Sequence, residues 1–489
     1  MIGKKIKELF GIDLRSLALM RICLGLLIVV DLIFRAADIE TFYTDSGVLP
    51  RNLHVEIYDS WVASLYLVNG HIVFSVVLFL ITLLFAIFLI MGFQTWVANF
   101  ILWILMVSLH ARNTLILTGG DTLIHLILFF GLFLPLGKRW SIDSLTSSER
   151  DLKKENIFLS FGSVALLLQS AFMYVFTAIH KFSPEWIYEG SAIYYALNID
   201  QYATPIGKIL LSFSGILPYL TYSVYLFEII GPFLLFCPFF MLQVRMITIL
   251  GFIFLQLGFG SCLFVGVFPF ASTVGILPFL PSWFWDKLIV SVSLSLSSIT
   301  KQVKVLKQNY TYTPFLLKNN VSLNIVAVIF LFFTFVWNIQ TIEKLNFRIP
   351  SELKRIGLLL GLEQNWAMFV PKYLNTDCYY IYQATLHNGM KIDIFPDGTK
   401  GKQVSWKKTK LVSLEYKNHR WRNFVNNIWS NDPRLKPYYA NYLCKEWNQK
   451  HSINKKIERI DFYLARKINH PDFKPSDITT NALYSYTCK

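Results

Sequence analysis

The chain predicts an all-α polytopic membrane bundle of eight or nine transmembrane helices, carrying a C-terminal extramembrane α+β domain. Three observations predict it. Apolar and aromatic residues make up 54% of the 489 positions and charged residues only 16%, a balance far from that of soluble globular chains. Several apolar runs reach the roughly 20 residues that a helix needs to cross a hydrocarbon core. Beyond residue 340 the pattern turns to short alternating runs with turn signals, and most of the +15 net charge lies there.

Spans are expected near 17–35, 72–93, 96–112, 122–137, 157–180, 219–240, 244–264 and 321–340. A ninth, at 266–284, is interrupted by Pro269, Pro278 and Pro281. So many prolines predict a broken or re-entrant span, tolerated where protein covers the freed backbone groups. Lys4, Lys5 and Lys7 before an apolar run resemble the start of a signal peptide. No small-residue cleavage site follows, and the run holds Arg21 and Asp31, so it reads as a retained first span.

Basic residues in short loops set the topology. Lys4, Lys5, Lys7 and Arg15 put the N-terminus on the cytoplasmic side, together with the loop carrying Lys138, Arg139, Arg150, Lys153 and Lys154. Lys287, Lys301, Lys304 and Lys307 join them if 266–284 crosses. Loops 36–70 and 181–218 then face outward. The tail is outward with nine spans and cytoplasmic with eight, and nine is the self-consistent count. The resulting divisions are a transmembrane domain over 1–285, a basic cytoplasmic connector over 286–320, a last helix over 321–340 and an outward α+β domain over 341–489.

Within the tail, Tyr380–Leu386 and Met390–Ile394 alternate on either side of His387-Asn388-Gly389. Asn-Gly between such runs predicts a hairpin. Residues 433–449 read as a helix and Ile457–Leu464 as a further strand. A basic domain beside a membrane suits anionic headgroups or acidic substrates; membrane embedding argues against nucleic acid. No nucleotide-binding glycine loop, zinc-type cluster or repeat is present in the sequence. Cys23, Cys237 and Cys262 fall in apolar segments as packing residues. Two of Cys378, Cys444 and Cys488 can pair in an oxidising compartment, and spacing does not choose between them.

The segment Gln169–Trp186 is the richest in chemistry. Lys181 stands where an apolar span runs into an aromatic, acidic loop. It reads either as an anchor snorkelling to the interface or as a lysine in a dry pocket, able to act as a base. Asp121 is placed to cap the fourth span, and His125 shares its helix face, an arrangement that also suits proton transfer. Phe42–Arg51 reads as a turned interfacial loop or as the wall of an outward pocket. Arg21, Asp31 and Glu228 lie within spans and need partners there. Asp31 and Arg35, four apart, are expected to pair; Glu228 is expected to bond a helix made irregular by Gly231 and Pro232.

In this order, these pieces resemble the vitamin K-dependent γ-carboxylase family and its bacterial relatives, the horizontally transferred transmembrane (HTTM) domain proteins. The first span matches through Asp13, Ser16, Leu17, Ala18, Arg21, Gly25, Asp31 and Arg35. The Phe42–Arg51 loop, Gly119-Gly120-Asp121 and Trp140-Ser141-Ile142-Asp143 look like the bacterial branch. Tyr174–Trp186 looks like the segment holding the family's catalytic lysine, which falls on Lys181, with Phe182, Trp186 and Gly190 around it. Leu263–Phe268 resembles a late-span motif, and Asn365–Pro371 with the hairpin after it resembles the bacterial extracellular domain.

The resemblance implies a bacterial inner-membrane protein whose lysine takes a proton from reduced vitamin K or menaquinol. Oxygen and carbon dioxide are co-substrates, the quinone leaves as its epoxide, and a glutamate of a secreted peptide gains a carboxyl group. On this reading Lys181 is the base, with His180, Asp121 and His125 as polar support and Tyr174, Phe182 and Trp186 against the quinone. Two positions depart from the family. A histidine near the start of the fourth span is replaced by Asp121 or Gly120, with His125 nearest. A later His-x-x-Asn pattern falls on Gln256 and Phe259 when registered by Phe268. The rival expectations are a non-catalytic membrane factor that matures or exports a secreted peptide, and a transporter.

Overall fold

The computed structural model describes residues 2–58, 61–145, 156–293, 321–370, 375–404, 406, 411–469 and 478–488. Arg150, Lys153, Lys154 and most of the connector, including Lys301, Lys304 and Lys307, lie outside the described residues. The helices that build the site are α1 (Ile2–Phe10), α2 (Leu14–Ala36), α3 (Ile72–Met91), α4 (Thr95–Arg112), α5 (Gly119–Gly131), α6 (Phe161–His180), α7 (Leu217–Leu234), α8 (Met241–Cys262), α9 (Phe268–Ile276) and α10 (Val321–Gln340). Seven helices among the described residues are long and apolar enough to cross a membrane: α2, α3, α4, α6, α7 with the turn before it, α8 and α10. The helices α5 and α9 are shorter and apolar. Outward faces such as Ile247 and Phe254 on α8 and Phe332 on α10 are strongly exposed; they fit a lipid surround rather than water.

Local chemistry sets the boundaries. The Asp13 carboxylate accepts the Arg15 N–H at 2.8 Å and starts α2, satisfying one of the free donors of a helix start. The expected 157–180 span begins only at Phe161, because Ile157–Phe158 pairs antiparallel with Ile12–Asp13. The expected 219–240 span ends at Leu234, just past Pro232, which lacks an N–H for the last turn. Segment 266–284 is broken, as its prolines require: α9, a 3-10 turn at Leu277–Phe279, then a helix from Ser282 to Ser293. Ala271, Ile276 and Phe279 are buried there, so protein covers the irregular backbone. Gly120 makes this packing close: a Cβ on it would lie 2.7 Å from the Phe268 backbone.

Among the described residues the tail forms a five-stranded antiparallel sheet with helices against it. Its strands are β1 (Thr376–Leu386), β2 (Lys391–Ile394), β3 (Gly401–Gln403), β4 (Ile457–Ile468) and β5 (Thr479–Thr487), in the order β3-β2-β1-β4-β5. The β1–β2 turn is the expected Asn-Gly hairpin, with Gly389 at φ +77°. Helices α11 (His419–Ser430) and α12 (Leu435–Asn448) bring Phe424 and Tyr439 into the aromatic core around Phe462. Cys444 and Cys488 form a disulfide, and Cys378 is free.

The tail sits at one end of the bundle. Asn427 donates to the Leu115 carbonyl at 2.7 Å, and Ser413 N–H to the Asp200 carbonyl at 2.9 Å. Residues at the start of α2 lie at the opposite end, where Arg15 pairs with Asp286 at 2.7 Å and Arg245 holds the Leu9 carbonyl at 3.0 Å. Asp38 of the first loop, bonded by Asn418 at 2.8 Å, the 181–218 segment and the tail therefore share an end.

Candidate functional site

Helix α6 ends at His180, and Lys181 is its C-cap, its N–H bonded to the Thr177 carbonyl at 3.1 Å. Lys181 is 2% exposed, so it is no interfacial anchor. Its Nζ donates to Glu228 Oε1 at 2.8 Å and Oε2 at 2.6 Å, and lies 4.5 Å from the Trp186 ring centroid. Glu228 comes from α7 and is equally buried. The expectation that it bonds its own irregular helix is corrected: a buried carboxylate takes a cation where one is in reach.

The pair lies on the wall of a cavity of about 380 Å³, near the lower end of the ~300–1,000 Å³ of small-molecule pockets. Its membrane half is largely apolar, with Met173 from α6, Phe259 from α8 and Phe268 from α9. Thr177, Tyr174 and Gln256 interrupt it: Gln256 Nε2 donates to the Tyr174 hydroxyl at 3.2 Å, while Gln256 Oε1 is buried without a partner. The tail supplies the other half, through Arg422, Asn423, Asn426 and Asn427 of α11. Asn423 and Asn427 are four apart and share a helix face.

The expected supporting residues are distributed differently. Tyr174 lines the cavity, and Trp186 packs on Lys181 while donating to the Phe369 carbonyl at 3.2 Å. Phe182 does not fit its expected role: it is 64% exposed, because the chain turns outward after Lys181. His180 is not beside the lysine's amine either. One residue along a helix is a rotation of about 100°, and its Nε2 meets Thr341 Oγ1 at 2.9 Å instead.

Asp121 and His125 belong to a second, separate cluster. Arg35 donates to Asp31 at 2.6 Å, Asp121 at 2.7 Å and the Tyr43 hydroxyl at 2.6 Å, and its Nη2 meets His110 Nε2 at 2.7 Å. Arg420, from α11 of the tail, reaches the same two aspartates, bonding Asp31 and lying 3.1 Å from Asp121. His125 meets His110 at 2.6 Å. Asp121 also accepts the Thr118 N–H at 2.7 Å; Thr118 is the N-cap and Asp121 reaches back to it, rather than capping by itself. The predicted Asp31–Arg35 pair is present. Asp31, His110 and Asp121 are close enough to ligate a metal, but two guanidiniums already supply the positive charge there.

The Phe42–Arg51 loop is a built turn outside the cavity. Arg112 donates to the Thr44 and Leu49 carbonyls at 3.2 and 2.7 Å, and Arg51 pairs with Asp45 at 2.8 Å. Arg21 donates to the Trp140 carbonyl at 2.6 Å. No protein-family model matches the chain, and neither does any curated protein or solved structure.

Proposed function

We propose that this protein is a membrane enzyme that uses a reduced lipid quinone to modify a secreted peptide, with Lys181 as base and Glu228 as its proton partner. One observation carries this reading: a lysine amine and a carboxylate, both out of water, face a cavity whose membrane half is largely apolar. Lys181 and Glu228 are linked at 2.6–2.8 Å, so a proton taken from an acidic hydroxyl in the cavity has a short path between them. Tyr174 and the free Gln256 oxygen suit a ligand with a hydroxyl donor and an apolar ring, and the low-polarity walls exclude water. A reduced quinone bound there would supply four electrons to oxygen, two in passing from quinol to quinone and two from its ring double bond, leaving one oxygen atom in its epoxide and the other in water; that oxidation would drive removal of a proton from a glutamate side chain, with carbon dioxide adding in its place. The tail residues over the cavity form the side from which a peptide would approach, on the outer face of a bacterial cytoplasmic membrane.

One observation favours the rival, a non-catalytic peptide-handling factor. Glu228 holds Lys181 with both oxygens, as a purely structural ion pair would. The test separates them. Protein reconstituted in lipid is given reduced vitamin K or menaquinol and oxygen, and epoxide is followed by mass spectrometry for wild type, Lys181→Met and Lys181→Arg. Epoxide from wild type alone, at least about 100-fold above both variants, is the expected result. Equal yield from Lys181→Arg would remove the base, because a guanidinium keeps the charge but does not deprotonate. No epoxide from any of the three would favour the rival.

A further inference from the structure

The charged groups lining the cavity do not balance. Lys181 and Glu228 neutralise one another, and the third is Arg422, which is 1% exposed. Arg422 donates to the Phe264 carbonyl and to Asn423 Oδ1 at 2.9 Å, and its guanidinium lies 4.0 Å from the Tyr202 ring centroid. Its Nε is buried without a partner. Among the described residues no carboxylate pairs with it. Burial pushes it below its ordinary value, with only the Tyr202 and Tyr416 phenols acting the other way.

Its neighbour two residues earlier shows what compensation looks like. Arg420 is as deeply buried and its Nε is also unbonded, yet it faces Asp31 and Asp121. Against burial and Arg35, those two aspartates hold its value up. Arg245, buried without a paired carboxylate, is different again: its three nitrogens hold the carbonyls of Leu235, Glu8 and Leu9, at helix ends where the dipole favours a cation. Arg422 alone among these three stands on a cavity wall, with a free donor and no counter-ion. An uncompensated buried charge is costly, and a ligand can supply the missing partner.

We propose that Arg422 is an anion-binding residue, and that the cavity takes a ligand carrying one carboxylate group at its tail-facing end. The guanidinium gives the charge, and Asn423, Asn426 and Asn427 beside it give amide donors and acceptors for the polar surroundings of that group. This deepens the peptide side of the proposed function, on which it rests for a glutamate as one such ligand, but it does not need the quinol, so the binding experiment contains none and either reading can fail alone.

The informative variant is Asn423→Asp. It places a carboxylate where Arg422 already bonds, giving a built-in counter-ion at nearly constant volume, at the loss of one bond from Asn423 Nδ2 to the Leu117 carbonyl. Binding to full-length protein in detergent is followed by tryptophan fluorescence with two acid probes, a capped acidic tripeptide and decanoate. Their neutral counterparts, the amide tripeptide and decanamide, are the controls. The wild type should bind at least one acid about tenfold more tightly than its neutral partner, the scale of one charge-assisted hydrogen bond. The preferred probe identifies a peptide or a lipid source. Asn423→Asp and Arg422→Gln should bring the ratio to parity. A wild-type ratio near one for both probes, or a preference unchanged in folded Asn423→Asp, would overturn the proposal.

Discussion

Two buried charge clusters lie within one bundle and follow opposite rules. Around Arg35, two guanidiniums meet two carboxylates, each aspartate accepting from both arginines. Around the cavity, one ion pair is joined by a lone guanidinium. The first cluster is balanced in charge, although Arg420 Nε is unbonded there. The second has a free acceptor at Gln256, a free donor at Arg422 and unbalanced charge. Burial alone does not separate the two clusters; the balance of charge does. Arg420 and Arg422, two residues apart on α11, fall on either side of that line.

The sharpest way to break the comparison is to unbalance the first cluster. Asp121→Asn leaves Arg35 and Arg420 sharing Asp31, and should cost about 3–5 kcal/mol, as breaking buried pairs does. The expected readout is a large loss of monodisperse protein and of melting temperature in detergent. A loss below about 1 kcal/mol would mean that the cluster is not the lock it resembles.

Glu228→Gln tests the second cluster. It leaves Lys181 without its carboxylate and should destabilise by about 2–4 kcal/mol, while Lys181→Met/Glu228→Gln together should recover at least half of that. No comparable recovery is expected from removing one partner on each side of the Arg35 cluster, where every group has two neighbours.

The smallest effect refines the rule with a half-compensated group in the tail. Asp393 is buried, and burial lifts its carboxyl to about 6, against the Tyr382 N–H and Lys402, which lower it. A value above the unfolded one means that protonation favours folding. The contribution is full below about pH 4 and is lost as pH rises through about 6, by at most about 3 kcal/mol. Asp393→Asn should flatten this part of the pH dependence of tail unfolding, followed by fluorescence in the full chain.

These clusters also mark what the sequence could and could not disclose. The Asp31–Arg35 pair was legible because four residues are one helical turn, and the Asn388-Gly389 hairpin because its turn demands φ > 0. The prolines at 269 and 278 announced the broken segment. Lys181 stood out as a lone cation at the end of an apolar run, but nothing local points from it to Glu228, 47 residues on. Asp121 and His125 shared a helix face as expected, yet that face turned to Arg35 and His110 rather than to the lysine. Arg422, Asn423 and Asn427 sit in an amphipathic helix whose spacing is legible, while the surface it covers is set by tertiary packing. Gln256 and Phe259, found by register against the late-span motif, do line the cavity with Lys181.

Because Arg420 is encoded some 300–390 positions after the aspartates it meets, the charge balance of the bundle depends on a residue made long after it. Without Arg420, Arg35 is the one guanidinium at Asp31 and Asp121 among the described residues, beside the Thr118 N–H and the His110 ring that also reach Asp121. Their second guanidinium arrives with α11 of the tail, whose Arg422, Asn423, Asn426 and Asn427 also line the cavity. One helix therefore joins two tasks: it neutralises the acids inside the bundle and closes the wall of the pocket beside them.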